Sequence, residues 1–85
     1  MPPKVEIFSM ATCSHCISLK SYLKEKGVIY TDYDVEHDAD NYALMKKAAP
    51  GIRTVPVVVI NDGAKILTGF ERADLDAALF EVGGA

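Results

Sequence analysis

The chain has 85 residues, of which 49% are hydrophobic and 25% are charged, and its formal net charge is −3. This length leaves room for one hydrophobic core and the composition is typical of a globular protein, so we expect a single domain over residues 1–85. The acidic charge balance argues against a nucleic-acid partner, because binding to phosphates calls for a basic patch.

The first predicted element is a short strand from Val5 to Phe8. Within it, Glu6 interrupts the apolar run that a signal peptide would need, and no segment approaches the roughly 20 apolar residues of a membrane helix. We therefore expect no membrane attachment and a cytoplasmic location. In that compartment, a lone cysteine pair is typical of redox or metal chemistry rather than of a structural disulfide.

The two cysteines of the chain follow this strand, in the segment Cys13-Ser14-His15-Cys16. A helix that begins near Ser14 places both cysteines on one face, with Cβ atoms about 5–6 Å apart, which a disulfide can bridge after a small adjustment. The unpaired N–H groups of the helix N-terminus favour a thiolate on Cys13, which is the predicted nucleophile. Cys16 lies one turn inside the helix and is the predicted resolving thiol, which attacks a mixed disulfide formed on Cys13.

His15 lies between the two cysteines and is the third candidate catalytic residue. In one interpretation, its imidazole donates a hydrogen bond or a positive charge to the Cys13 sulfur and so tunes the redox potential of the pair. In the other, His15 is a solvated loop residue without coupling to either thiol. We favour the first interpretation.

The next two predicted elements are a helix and a strand. Cys16, Leu19 and Leu23 repeat at helical spacing, and Gly27 is the expected stop of this helix. The segment from Val28 to Val35 is rich in β-branched and aromatic residues, which predicts a second strand. A strand, a helix and a strand in this order favour a right-handed crossover between two parallel strands.

A second helix is predicted to begin after Asp38, whose side chain can cap its N-terminus, and to reach Ala49. Tyr42, Met45 and Ala49 are the expected inner face of this helix, because they repeat at helical spacing. The dipeptide Pro50-Gly51 closes it, since neither residue continues a helix readily.

The remaining predicted elements are two strands and a helix. The uninterrupted apolar run Val57–Ile60 is typical of a central strand that is covered on both faces. Asn61–Gly63 is a hairpin turn signal, so Lys65–Leu67 is expected to form an antiparallel strand beside the first. The last helix, with Gly83 and Gly84 beyond its end, is predicted from four apolar residues at helical spacing, which are Leu75, Ala78, Leu79 and Val82.

The element order β-α-β-α-β-β-α predicts an α/β fold, with one mixed four-stranded sheet and helices on both of its faces. The cysteine pair then lies at the carboxyl end of the first strand. Open α/β sheets place their ligands at this end, which agrees with a functional site there.

Four features together resemble the glutaredoxin family of the thioredoxin fold, and the resemblance covers nearly the whole chain. They are the first strand, the cysteine pair at a helix start, Thr54-Val55-Pro56 before the third strand, and Gly69-Phe70 before the last helix. The resemblance implies a thioredoxin-like fold and a thiol–disulfide oxidoreductase that transfers electrons to protein or small-molecule disulfides in cell redox homeostasis. We expect a monomer with no bound cofactor and no metal.

In that family, the proline of the Val-Pro pair is cis and faces the cysteines, and Pro56 is the matching position. The backbone of Val55 would then offer its N–H and C=O groups to an extended thiol substrate. The other interpretation is a trans proline at the start of a strand, which is a common place for proline.

The electron donor stays open between two alternatives. Glutathione-using members of the family have a lysine shortly before the motif, where this chain has Met10, and a second glycine with an acidic residue after the position of Gly69. Arg53 is the best-placed substitute partner for a glutathione carboxylate, and Lys20 and Lys47 are further candidates. The turn at Gly69-Phe70 instead resembles that of NrdH-type redoxins, which are reduced by thioredoxin reductase.

The candidate residues for binding a disulfide substrate or glutathione as co-substrate are therefore Arg53, Thr54, Val55, Pro56, Gly69, Phe70 and Glu71. Phe70 has a second interpretation, as core packing between the last strand and the last helix. The sequence leaves both interpretations of Phe70 open.

A metal-binding adaptor is the alternative function. Cys13, Cys16, His15 and His37 supply the ligand types of a zinc site, yet His15 is pinned between the cysteines and His37 lies beyond a whole helix. Some family members without a proline at the position of Ser14 hold an iron–sulfur cluster through the first cysteine and glutathione. The resemblance therefore keeps an iron–sulfur cluster as part of this alternative.

An acidic residue stands at every second position in one segment, at Asp32, Asp34, Glu36, Asp38 and Asp40. A calcium loop of the EF-hand type needs glycine at its sixth position and glutamate at its twelfth, and counting from Asp32 these are His37 and Ala43. We expect instead a solvated edge strand, where charges discourage pairing with other chains.

Overall fold

The computed structural model describes residues 4–83, with the side chains of residues 4–80, and it contains the strands and helices in the predicted order. The strands are β1 (Val5–Ser9), β2 (Tyr30–Asp34), β3 (Val57–Ile60) and β4 (Lys65–Thr68). The helices are α1 (Ser14–Glu25), α2 (Ala39–Ala48) and α3 (Arg72–Gly83), and a short 3₁₀ turn at Asn61–Gly63 joins β3 to β4. Within this range, no helix has the length and apolar character that crossing a membrane requires.

The four strands form one mixed sheet in the order β2-β1-β3-β4. β1 is parallel to β2 and antiparallel to β3, and β3 is antiparallel to β4, which confirms the predicted fold class. The acidic strand β2 lies at an edge and the apolar strand β3 lies inside the sheet, as expected. The register pairs Ile7 with Asp32 and Ser9 with Asp34, so these four side chains point toward one face.

Hydrophobic clusters cover both faces of the sheet. On one face, Ile7 and Val58 pack against Leu19 and Leu23 of α1 and Leu75 of α3. The other face is covered by α2, through a cluster that contains Phe8, Val35, Met45, Ala49, Val57 and Val59. Because the strand residues alternate between the two clusters, the sheet lies in the middle of a three-layer structure.

The cysteine segment and a glycine set the ends of α1. Cys13 is the N-cap residue in an extended conformation, so the helix begins directly after it. At the other end, Gly27 adopts a left-handed conformation with φ +73°, and the N–H of Val28 donates to the carbonyl oxygen of Leu23 at 2.9 Å. This arrangement satisfies a terminal carbonyl group and turns the chain toward β2.

The second helix confirms one prediction and corrects another. The carboxylate of Asp38 accepts hydrogen bonds from the N–H groups of Asp40 and Asn41, so it caps α2 as predicted. Tyr42, however, is not part of the inner face, because 37% of the residue is exposed. Its ring lies 5.1 Å from the ammonium of Lys46, in a cation–π contact on the outer side of the helix.

Two predicted boundaries differ from the structure. The second strand is shorter than the predicted range Val28–Val35, because Val28 bonds back to α1 and Ile29 is 86% exposed. The last helix continues through Gly83 rather than ending before it. The predicted inner residues Leu75 and Ala78 are buried. Two parts of that prediction, the side chain of Val82 and the residue Gly84, lie outside the described residues.

Candidate active site

Cys13 lies at the N-terminus of α1 and is partly exposed. The N–H of Cys16 donates a hydrogen bond to the Cys13 Sγ at 3.2 Å, so the sulfur takes the place of a capping oxygen. Negative charge on this sulfur is favoured at a helix N-terminus, because N–H groups and the positive end of the helix dipole point toward it. The structure thus brings the predicted nucleophile to the predicted place.

Cys16 lies one turn further along the helix and is fully buried, with 0% exposure. Burial raises the pKa of its thiol to about 11, and the hydrogen bond with Cys13 contributes in the same direction. The backbone N–H of Met10 and the positive charge of Lys20 lower the pKa, but less strongly. Two cysteines of one short motif therefore have contrasting surroundings, one at the surface and one inside.

His15 is exposed in the first turn of α1. Within the described part of the chain, its ring makes no hydrogen bond, and the bond to the Cys13 sulfur comes from the Cys16 backbone instead. Its predicted influence on the redox potential stays a prediction, because it depends on the charge of an exposed imidazole near Cys13.

The loop before β3 forms the other wall of the site. The Val55-Pro56 peptide bond is cis, as the family resemblance implied, so the trans interpretation is wrong. The carbonyl oxygen of Val55 lies 4.0 Å from the Cys13 Sγ. Pro56 is buried behind it, whereas Arg53 and Thr54 are exposed.

The turn that contains Gly69 and Phe70, between β4 and α3, lies beside this loop. The N–H of Gly69 donates to the carbonyl oxygen of Pro56 at 2.9 Å, and Gly69 adopts φ +72°, a conformation that favours glycine. Phe70 packs on the core with its ring centroid 5.6 Å from that of Tyr22, which supports the packing interpretation of Phe70. Glu71 is exposed, and its carbonyl oxygen accepts the first-turn hydrogen bond of α3 from Leu75.

A polar cluster that sequence reasoning missed lies next to Cys16. Asp32 accepts a hydrogen bond from the Ser9 hydroxyl at 2.5 Å with one carboxylate oxygen, and from the Lys20 ammonium at 3.1 Å with the other. Ser9 is 1% exposed at the end of β1. Lys20 is therefore paired within the protein and does not stand free for glutathione. The signal in the sequence was the one-turn spacing of Cys16 and Lys20.

The acidic segment has structural partners. Besides the cap formed by Asp38, Asp34 accepts hydrogen bonds from the backbone of Glu36 and from the His37 ring at 2.9 Å. The side-chain bond to Asp34 raises the pKa of His37, whose side chain is exposed.

Asp34, Glu36 and His37 bring their ligand atoms within 4.8 Å of one another, all close to the surface. In the portion of the chain that the structure describes, this is the one group of three such side chains. Cys13 and Cys16 therefore do not meet a histidine in a zinc-like arrangement there.

Known proteins resemble this chain in sequence over most of its length. The model of the family named Glutaredoxin matches residues 5–64, which include the cysteine pair and the Val55-Pro56 loop. A probable glutaredoxin of Synechocystis is 38% identical over 81 residues, covering 89% of this chain and 74% of that protein.

Solved structures share the fold. The crystal structure of the thioredoxin-like protein BC3987 has a TM-score of 0.77 at 29% identity, covering 89% of this chain and 100% of that one. The glutaredoxin-like protein NrdH-redoxin of Escherichia coli has a TM-score of 0.74 at 20% identity, covering 87% of this chain and 92% of that one. These likenesses establish a thioredoxin-like fold.

Proposed function

The chain belongs to the glutaredoxin family, and on that premise we propose that it is a dithiol thiol–disulfide oxidoreductase that uses Cys13 and Cys16. One observation carries the proposal. Cys13 is partly exposed at the start of α1, and its sulfur accepts a hydrogen bond from the N–H of Cys16, a residue that is itself fully buried one turn further along the helix. This asymmetry supports one attacking and one resolving thiol.

In the first step, the Cys13 thiolate attacks one sulfur of a substrate disulfide. A bond forms between Cys13 and that sulfur, the substrate S–S bond breaks, and the other substrate sulfur leaves with the electron pair and takes up a proton. The N–H of Cys16 and the N-terminus of α1 stabilise the negative charge on Cys13 before the attack.

In the second step, Cys16 attacks the Cys13 sulfur of the mixed disulfide. The Cys13–Cys16 bond forms, and the remaining substrate sulfur leaves as a thiolate and is protonated. The substrate disulfide is thereby reduced by two electrons and the cysteine pair is oxidised. The closeness of the two residues makes this second attack intramolecular and therefore fast.

The Val55-Pro56 loop is the proposed binding groove for the substrate. The Val55 carbonyl lies 4.0 Å from the Cys13 Sγ, so the backbone of a bound disulfide segment would run beside it and pair with Val55 as an added strand. Arg53 and Thr54 are exposed on the same loop, and Gly69 is bonded to Pro56 at its back. They are the proposed contacts for the rest of the substrate.

We further propose that the oxidised pair is reduced by glutathione or by thioredoxin reductase, in the cytoplasm and as part of cellular electron transport. In this proposal the protein acts as a monomer without a bound cofactor, and glutathione, when used, is a co-substrate. Comparing reduction by glutathione and its reductase with reduction by thioredoxin reductase distinguishes the two donors.

Two cysteine variants test the proposed function. With a protein disulfide as substrate, Cys13→Ser should abolish its reduction, whereas Cys16→Ser should accumulate a mixed disulfide on Cys13 that mass spectrometry detects. Turnover by Cys13→Ser equal to that of the parent protein would contradict the proposal. A coloured protein after anaerobic purification would favour an iron–sulfur cluster instead.

A further inference from the structure

The resolving thiol has to lose its proton in a place that disfavours charge. Cys16 is 0% exposed, and burial is the main reason why its pKa is raised to about 11. At neutral pH only a small fraction of such a thiol is ionised, yet the thiolate is the form that attacks a disulfide. A positive charge close to Cys16 therefore favours the second step of the proposed reaction, against the effect of burial.

Lys20 places a positive charge on the Cys16 side of α1. It follows Cys16 by one helical turn, so the two side chains are neighbours on one face of the helix. Its side chain is 25% exposed, and its ammonium donates a hydrogen bond to Asp32 at 3.1 Å. The charge of Lys20 lowers the pKa of Cys16 and so opposes the effect of burial.

Asp32 and Ser9 fix the position of this ammonium. Asp32 is the neighbour of Ile7 in the sheet register, so its side chain points toward α1. One oxygen accepts from Lys20 and the other from the hydroxyl of Ser9, which is 1% exposed and comes from the end of β1. With both oxygens engaged, the carboxylate holds Lys20 against the protein rather than free in solvent.

We propose that Lys20, held by Asp32 and Ser9, is a positioning residue for the resolving step, because its ammonium stabilises the thiolate of Cys16. This inference rests on the proposed function and extends it to residues outside the cysteine motif. Lys20 keeps its own proton throughout. The proton released by Cys16 passes to solvent, and the substrate thiolate takes up a proton as it leaves, so the exchange stays balanced.

Other titratable groups face this part of the molecule. Lys24 and Tyr30 line the groove on the outer side of Lys20. At the next position of β2 that points toward this face, Asp34 is paired with His37. The carboxylate of Asp34 thus has its own partner, and Lys20 remains the charge that Asp32 holds.

The test is a ¹³C NMR titration of the Cys16 Cβ chemical shift in a Cys13→Ser background, where Cys16 is the single cysteine and the signal is separate from those of the tyrosines. Lys20→Met should raise the titration midpoint by about half a pH unit, a modest shift because the Lys20–Asp32 pair is partly exposed. Lys20→Arg keeps the charge and should leave the midpoint near that of the background protein. Lys24→Met is the matched control and should not shift it.

In the protein with both cysteines, Lys20→Met should slow release of the mixed disulfide about twofold at neutral pH, because the smaller thiolate fraction is partly offset by higher nucleophilicity. An unchanged midpoint in Lys20→Met, or an equal shift in Lys24→Met, would overturn the inference. The titration needs no substrate, so its outcome is separate from that of the cysteine variants that test the proposed function.

Discussion

The candidate site has two parts, a rim and a floor, that differ in exposure although their cysteines lie only one helical turn apart. The rim consists of Cys13, His15, Arg53 and Thr54, which are partly or fully exposed, and the floor consists of Ser9, Cys16 and Pro56, which are buried. In the proposed function, this difference gives two chemically identical cysteines separate roles. Solvent reaches the rim, where we propose that the substrate binds, whereas burial in the floor raises the pKa of the Cys16 thiol.

Removing the packing beneath the floor should break this arrangement, whereas the same truncation near the rim should not. Leu19 is 1% exposed in the core behind Cys16, and Ile17 is 55% exposed on the same helix. Leu19→Ala should lower the free energy of unfolding by about 2–5 kcal/mol, and Ile17→Ala by less than about 1 kcal/mol. Urea unfolding measures both values, and equal losses would show that the floor is not part of the core.

A pH titration of stability should separate the two cysteines further. The folded-state pKa of Cys16 is raised from 9.0 to about 11, chiefly by burial, so the folded protein retains this proton where the unfolded chain releases it. This contribution is fully present below pH 9, and about 3 kcal/mol of it is lost as the pH rises to about 11.

The control for this titration is Cys16→Ala, compared with the reduced parent protein. Hydrogen bonds to Asp76 and Glu6 raise the pKa of Tyr22 and Tyr33, so both tyrosines also weaken the fold at alkaline pH. They remain in the variant, and the difference between the two curves isolates Cys16. If the free energies of unfolding of the two proteins changed in parallel with pH, the raised pKa of a buried Cys16 thiol would be contradicted.

Removing a positive charge from the rim should weaken the binding of the electron donor and leave the free energy of unfolding unchanged. Arg53 is exposed, and a charge-assisted hydrogen bond to a glutathione carboxylate contributes about 1.5 kcal/mol, which is roughly tenfold in affinity. If glutathione is the donor, Arg53→Gln should raise its KM about tenfold in a coupled assay, whereas Lys24→Gln should not. An unchanged KM in both variants would remove Arg53 from the glutathione site.

The smallest expected effect lies at the start of α2, away from both the rim and the floor of the site. Asp38→Ala removes the acceptor of two backbone hydrogen bonds and should lower the free energy of unfolding by about 1 kcal/mol. Asp38→Asn keeps an acceptor and should cost clearly less in the same urea measurement. Neither variant should alter disulfide reduction, and a loss of activity would mean that this helix contributes to the site.

Local signals predicted most of the fold. The Asp38 cap, the Gly27 stop and the apolar strand β3 each depend on residues close in sequence, and the structure has all three. The side of α2 on which Tyr42 lies was not predictable in this way. The Tyr42 ring contacts the ammonium of Lys46 on the outer side of the helix, which helical spacing alone does not indicate.

The candidate site was predictable only in part, for a similar reason. The cysteine motif and the Val55-Pro56 loop have sequence signals, but the hydrogen bond from Ser9 to Asp32 joins residues 23 positions apart. That contact depends on the register between β1 and β2, and Lys20 reaches it from a third element. Periodicity within one segment cannot reveal a partnership that the sheet creates between segments.

The asymmetry of the two thiols is tested most directly by alkylation of the reduced protein with a limiting amount of iodoacetamide at neutral pH. Peptide mapping by mass spectrometry then identifies the labelled cysteine. Because Cys13 is accessible at the helix N-terminus and Cys16 is buried with a raised pKa, the label should be found on Cys13. Labelling of Cys16, or of both cysteines equally, would contradict the assignment of one nucleophile and one resolving thiol.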